Sequence, residues 1–257
     1  MNKSVWVIVF LSVVLTSFVT YQITVSVNSN TYVKKDELKN YFDQYLEQST
    51  KAVFSAFVKG AKLQEQAAVE KKRQAIVDSQ QVLENDPATP FIGNDKGDVN
   101  IVMFSDYSCG FCKKSAPILE QVLKQDKNLK LIVKEFPILG PSSIVSAKVA
   151  LAAYKLDKTK YASVHKQLFT KRLSSEKDLL QLAKSVGIDG KSLLLEMEKP
   201  EYNQIAEENQ ALASSLGVNG TPAFVIDGIL YPGALQEDQL KDIVKQVREK
   251  RLVKKGS

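Results

Sequence analysis

Cysteine and histidine are almost absent from this sequence: Cys109, Cys112 and His165 are all there is in 257 residues. A zinc centre draws about four ligands, mostly from these types, so the scarcity argues against a metal site. A disulfide framework is excluded as well. Two cysteines three positions apart close so small a loop that as a staple they would barely constrain the unfolded chain. Charge of one sign is also scarce. The net +6 is modest, and part of it sits in Lys245, Arg248, Lys250, Arg251, Lys254 and Lys255 beside Glu249. That stretch reads as a solvated terminal helix, not a nucleic-acid or lipid patch. No internal repeats occur. An apolar share of 44% and a charged share of 25% exclude wholesale disorder, and the length admits one good-sized core with additional elements.

The N-terminus is informative. Lys3 precedes an apolar run from Val5 to Val19, broken only by Ser12, Thr16 and Ser17. A positive start followed by an apolar stretch is the pattern of an export signal. The uncharged run continues to Val27, long enough to span a bilayer, and no clean Ala-x-Ala cleavage site appears. Thr24-Val25-Ser26 and Val27-Asn28-Ser29 are tolerable substitutes. Residues 1–29 are therefore expected to be a signal peptide or a signal anchor. The chain is expected to be exported, soluble after cleavage or held in a membrane by the uncleaved segment.

From Val33 to Leu83 the pattern is helical. Leu38, Tyr41, Phe42, Tyr45 and Leu46 recur at helical spacing, followed by Val53, Phe54, Phe57, Val58 and Ala61. Such a stripe packs on the main domain or on copies of itself, and its place ahead of a complete domain favours self-association. Residues 30–83 are thus read as a helical oligomerisation stalk. Glu84 to Gly97, rich in Pro, Gly, Asn and Asp, marks a boundary or an extended leading strand. Val99–Phe104 reads as a buried strand, Cys109 opens a helix to about Lys124, and Leu129–Phe136 is a second strand. Pro141 to Leu216 reads as helical throughout, with Pro200 as a break. Ala223–Ile226 and Ile229–Tyr231, joined by Asp227-Gly228, form a hairpin, and Gln236–Leu252 a closing helix. The fold class is α/β: a thioredoxin-like fold in two halves, 84–140 and 217–257, with a helical domain inserted at 141–216.

Cys109-Gly110-Phe111-Cys112 directly follows a strand and opens a helix. Thiol exchange needs a nucleophilic thiolate and a second thiol close enough to resolve the mixed disulfide. Unpaired amides and the positive dipole end at a helix N-terminus lower a thiol's pKa. Three residues' spacing brings both sulfurs together over the first turn. Cys109 is then the exposed nucleophile and Cys112 the more buried resolving thiol. The pair is its own redox centre and requires no cofactor.

Several motifs in sequence order resemble the DsbA family of periplasmic thioredoxin-fold proteins over about Asp86 to Arg251. They are Asp86-Pro87, Pro90 and Gly93; Val102 through Lys113 around the cysteines; Lys134-Glu135-Phe136-Pro137-Ile138-Leu139-Gly140; and Val218-Asn219-Gly220-Thr221-Pro222-Ala223-Phe224. The resemblance implies that Pro222 is cis and packs against the disulfide, with Thr221 offering backbone pairing to an extended substrate. It also implies that the helical block caps the active-site face. His165 lies in that block and reads as a structural or surface residue. Substrates would be exported proteins with cysteines, recycled through a membrane redox partner.

Two departures bear on the chemistry. Many members carry a buried acid six residues before the first cysteine, where Met103 stands here, so proton transfer to Cys112 would fall to water, Asp106 or Glu135. Gly-Phe lacks the histidine of strongly oxidising members and is closer to the Gly-Tyr of disulfide isomerases. The helical region ahead of the core resembles the oligomerising branch that includes the suppressor-of-copper-sensitivity C-type proteins, implying a homodimer or homotrimer. The expected activity is protein-disulfide isomerase or dual oxidase and isomerase. A dedicated oxidase, or a non-catalytic exported binding or chaperone module with copper affinity, are the alternatives.

Overall fold

The computed structural model describes residues 3–28 and 34–256. They fall into two compact units, Met1–Gln66 and Ala67–Ser257.

In the first unit, α1 spans Lys3–Asn28. Helix α2, Lys35–Asp78, begins there and runs on into the second unit. Val33 and Ser29, named above, lie outside the described residues. Within this unit the expected stripe is present but uncovered: Leu38, Tyr41, Phe42, Leu46, Val53, Phe54, Phe57 and Val58 are all exposed. Among the described residues no helix is long and apolar enough to cross a membrane.

The second unit is built on a sheet ordered β1-β3-β2-β4-β5. Strand β2, Val99–Ser105, and β3, Leu129–Glu135, pair in parallel with Val99 opposite Leu129 and Ser105 opposite Glu135. Both are covered on both faces, which is why their centres, 101–104 and 131–133, are continuous apolar runs instead of alternating ones. Strand β1, Phe91–Gly93, runs antiparallel along β3 at one edge. On the other side β4, Ala223–Ile226, pairs antiparallel with β2, and β5, Ile229–Pro232, with β4. Asp227 and Gly228 both take positive φ, 49° and 77°, the backbone of the two-residue turn that matches strand twist.

Alternation along the central strands sorts two cores. On one face Ile101, Met103, Leu131, Val133 and Phe224 pack with α4, Gly110–Gln125, with the inserted helices and with the closing helix α10, Glu237–Gly256. On the other, Val102, Phe104, Ile132 and Val225 pack with Ile76 from the end of α2 and Leu83 from α3, Gln80–Glu84. Leu216, Val218 and Ala223, which flank the Thr221–Pro222 loop, belong to the same cluster.

The inserted block departs from the sequence expectation of a single break at Pro200. It comprises α5 (Pro141–Leu156), a 3₁₀ turn (Lys158–Lys160), α6 (Tyr161–Leu168), α7 (Glu176–Val186), α8 (Gly190–Met197) and α9 (Glu201–Ser215). Short polar side chains cause the extra breaks. Asp157 accepts from the Thr159 amide, Ser175 and Asp178 form a reciprocal capping box, and Asp189 accepts from the Ser192 amide. Gly187 ends α7 at φ 75°, where a side chain would be strained.

Candidate active site

Cys109 is the N-cap of α4, in extended conformation, and the Cys112 amide points at its sulfur at 3.5 Å. Its thiol in turn donates to the Thr221 carbonyl at 3.2 Å. That bond joins the loop ahead of β4 to the turn after β2 at this sulfur, and the Thr221–Pro222 peptide in the loop is cis. Sequence reasoning expected Cys109 exposed, but only 6% of it is accessible, against none of Cys112. The loop covers it because the thiol bonds to that loop's backbone. Phe111, between the cysteines, is by contrast well exposed.

The two thiols are driven apart electrostatically. Burial alone would raise the Cys109 pKa, but the Thr221 side chain and the amides of Cys112 and Phe111 outweigh it and hold the thiol below its ordinary value. For Cys112 burial dominates and pushes the thiol up to about 12. One sulfur is thus prepared to ionise and its neighbour to stay protonated. A dithiol in that arrangement can attack a disulfide with the first sulfur and hold the second in reserve.

The turn carrying Cys109 is tied down at successive residues. The Asp106 carboxylate accepts from the Ser108 amide (2.7 Å) and from the amides of Ile138 (2.9 Å) and Leu139 (3.0 Å). The Ser108 hydroxyl meets that of Ser142 at 3.2 Å. Tyr107 turns inward, where its hydroxyl bonds Glu135 and faces His165. Asp106, one of the two acids considered for proton transfer, therefore has both oxygens engaged by backbone. The other, Glu135, is fully buried. That burial holds its carboxyl well above the usual range, against the pull of bonds from Tyr107 and Tyr161 and with the Asp106 charge adding to the rise. Burial pushes the His165 imidazole down to about 4. Tyr107 carried no signal in the sequence, because its partners lie 28 and 58 residues away. Among the described residues no three of His, Cys, Asp and Glu stand together as a metal site.

Residues 100–245 match the DSBA-like thioredoxin domain. No curated protein matches the chain. Among solved structures, a linker-deletion variant of Proteus mirabilis ScsC is 27% identical with a TM-score of 0.68, covering 86% of this chain and 99% of its own. The thiol-disulfide exchange protein alpha-DsbA2 from Wolbachia pipientis is 31% identical at a TM-score of 0.65, covering 70% of this chain and 98% of its own. A periplasmic thioredoxin-like protein from Salmonella enterica serovar Typhimurium is 30% identical at 0.57, covering 65% and 94%. With the matched domain extending over more than half its length, the chain belongs to the DsbA-like family of thiol–disulfide oxidoreductases.

Proposed function

We propose that this chain is a periplasmic protein-disulfide isomerase, or a dual oxidase and isomerase, acting through Cys109 and Cys112. The observation that carries the reading is geometric: a sulfur that caps α4 and lies 3.5 Å from the Cys112 amide, beside a second thiol that is wholly buried. In the reaction the Cys109 thiolate attacks a substrate disulfide, forming a mixed disulfide and releasing the other substrate sulfur as a thiolate. Cys112 must lose its proton before it can displace the substrate. Burial, which persists in the mixed disulfide, disfavours the Cys112 thiolate, so that step is slowed near neutral pH and the mixed disulfide lasts longer. A persistent intermediate gives the released thiolate time to attack elsewhere, which is isomerisation. The Thr221 backbone beside the sulfur is suited to pair with an extended substrate segment.

The apolar α1 behind Lys3 supports export, and a periplasmic relative supports the compartment. The uncovered stripe of α2 supports a homodimer or homotrimer assembled through the 30–83 stalk, so that several sites engage one misfolded protein. The inserted 141–216 domain caps the active-site face. Reduction of insulin and refolding of scrambled ribonuclease test the reading. Wild type is expected to accelerate both, and Cys109→Ser to fall to the uncatalysed rate. Equal rates for the two proteins would sink it.

A further inference from the structure

The buried polar cluster behind the cysteine turn has no part in the exchange steps above. The Tyr107 hydroxyl lies 2.9 Å from Glu135 Oε1 and 2.8 Å from His165 Nδ1. The Tyr161 hydroxyl reaches the same two atoms at 3.4 Å each. All four residues are buried. Glu135 ends β3, Tyr161 and His165 come from α6 of the inserted block, and only Tyr107 belongs to the turn between β2 and α4. Rings close around the same point: Tyr107 packs edge-on to His165 at 5.4 Å and tilted against Phe169 at 4.8 Å.

Proton accounting shows that depth alone is not what the cluster supplies. In a neutral carboxyl, the oxygen that accepts both phenols, Oε1, is the carbonyl oxygen, which leaves the acid proton on Oε2. That atom is buried and finds no hydrogen-bond partner among the described residues. A buried donor left unpaired opposes folding. Phenylalanine at 107 with leucine at 135 would fill the space without it. What polar atoms add over apolar packing is direction: a hydroxyl caught between two fixed partners sets the rotation of its ring, and through it the backbone two residues before Cys109.

We propose that Tyr107 is a positioning residue for thiol exchange, its hydroxyl held by Glu135 and His165 so that the inserted helices fix the turn presenting the Cys109 sulfur. The proposal rests on Cys109 and Cys112 being the exchanging pair. Loosening the turn takes the sulfur away from the first amides of α4, the donors that favour its thiolate.

The test uses the reduced full-length chain. Ultraviolet thiolate absorbance against pH gives the Cys109 titration, and insulin reduction gives kcat and KM separately. For Tyr107→Phe the Cys109 midpoint is expected to rise by about half to one unit, with kcat lower by about threefold to tenfold and KM unchanged. Tyr202→Phe is the control for stability alone, since it removes a phenol bond, 2.6 Å to Glu196, elsewhere in the inserted helices. It is expected to lower the melting temperature and leave the titration in place. A wild-type titration and kcat in Tyr107→Phe, whatever its melting temperature, overturns the proposal, as does an equal shift in Tyr202→Phe. If Tyr107→Phe does not fold, His165→Phe keeps a ring against Phe169 while removing one of the two partners, and an unchanged titration there overturns it equally. Failure of the underlying reading has a different signature: wild type and Cys109→Ser would then reduce insulin alike.

Discussion

Tyr41, Val53 and Phe57 on α2 are each about 70% exposed, while Phe104 and Phe224 in the sheet are wholly buried. The first three lie in Met1–Gln66 and the other two in Ala67–Ser257. All five are large apolar or aromatic side chains, and it is their surroundings that differ. In the second unit every central strand finds a layer on each face within its own chain. In the first, most of the stripe has no cover among the described residues, so burial contributes little to it and it relies on local propensity and on pairs such as Lys51 with Glu47. Apolar periodicity states that a face needs covering. It does not state whether the cover is the same chain or another copy.

The largest effect that would break this comparison is on mass. Phe54→Ser with Phe57→Ser removes the centre of the stripe, and the native mass by light scattering is expected to fall at least twofold, to the single chain. Insulin reduction should survive. An unchanged mass would mean that the stripe is not what joins copies.

The converse substitution sharpens it. Leu131→Ala in β3, 2% exposed, is expected to cost about 2–5 kcal/mol in denaturant unfolding through lost burial and the cavity left behind. Native mass should stay as in wild type. Loss of assembly at a temperature where the fold persists would show that burial in the sheet and assembly through the stripe are not independent.

Acidity distinguishes the units next, because the buried titrating groups argued above all lie in the second. His165 has a folded value near 4 against an ordinary 6.5. The unfolded chain therefore binds this proton first as pH falls, and about 3 kcal/mol of stability, full above pH 6.5, is lost by pH 4. Glu135 works in the opposite sense. Its folded value is raised, so its contribution is full below the unfolded value of 4.5 and is lost as pH rises towards the folded one. Denaturant midpoints of Glu135→Gln should thus exceed those of wild type by a margin that widens with pH above 4.5. A margin independent of pH would refute a neutral Glu135 in the folded chain.

Much of the second unit was legible in its sequence because the deciding signals are local. The buried runs at Val99–Ser105 and Leu129–Glu135, the Asp227-Gly228 turn and the cysteine-capped helix all stand where their residues put them. The breaks in the inserted block were legible in principle, since Ser175 three residues before Asp178 is a capping signature, yet the surrounding apolar periodicity masked it. The Tyr107 cluster was not legible. A tyrosine beside a cysteine and a histidine in a distant helix carry no mark of one another until β2, β3 and α6 are laid together. Thr221 and Pro222 were reached through family resemblance, because nothing in a lone Thr-Pro announces a cis bond beside a sulfur.

The smallest expected effect concerns ion pairs. Lys134, 1% exposed, bonds Asp86 at 3.1 Å and Thr89 at 2.7 Å, whereas Lys51 and Glu47 on α2 pair in open solvent. Burial lowers the Lys134 pKa, and Asp86 opposes that shift. Lys134→Met keeps the length of the side chain and removes the cost of desolvating the ammonium. Asp86 still accepts from the Ala88 amide and the Thr89 hydroxyl and still reaches water. The loss is therefore expected at about 1 kcal/mol, well below the 3–5 that follows when a buried charge is stranded. Glu47→Gln, on a pair that solvent and salt screen, should leave the melting temperature unchanged. If the two substitutions proved equal, the Asp86–Lys134 contact would be no more than a surface pair, and burial would have ceased to distinguish the ion pairs of the two units as it distinguishes their apolar residues.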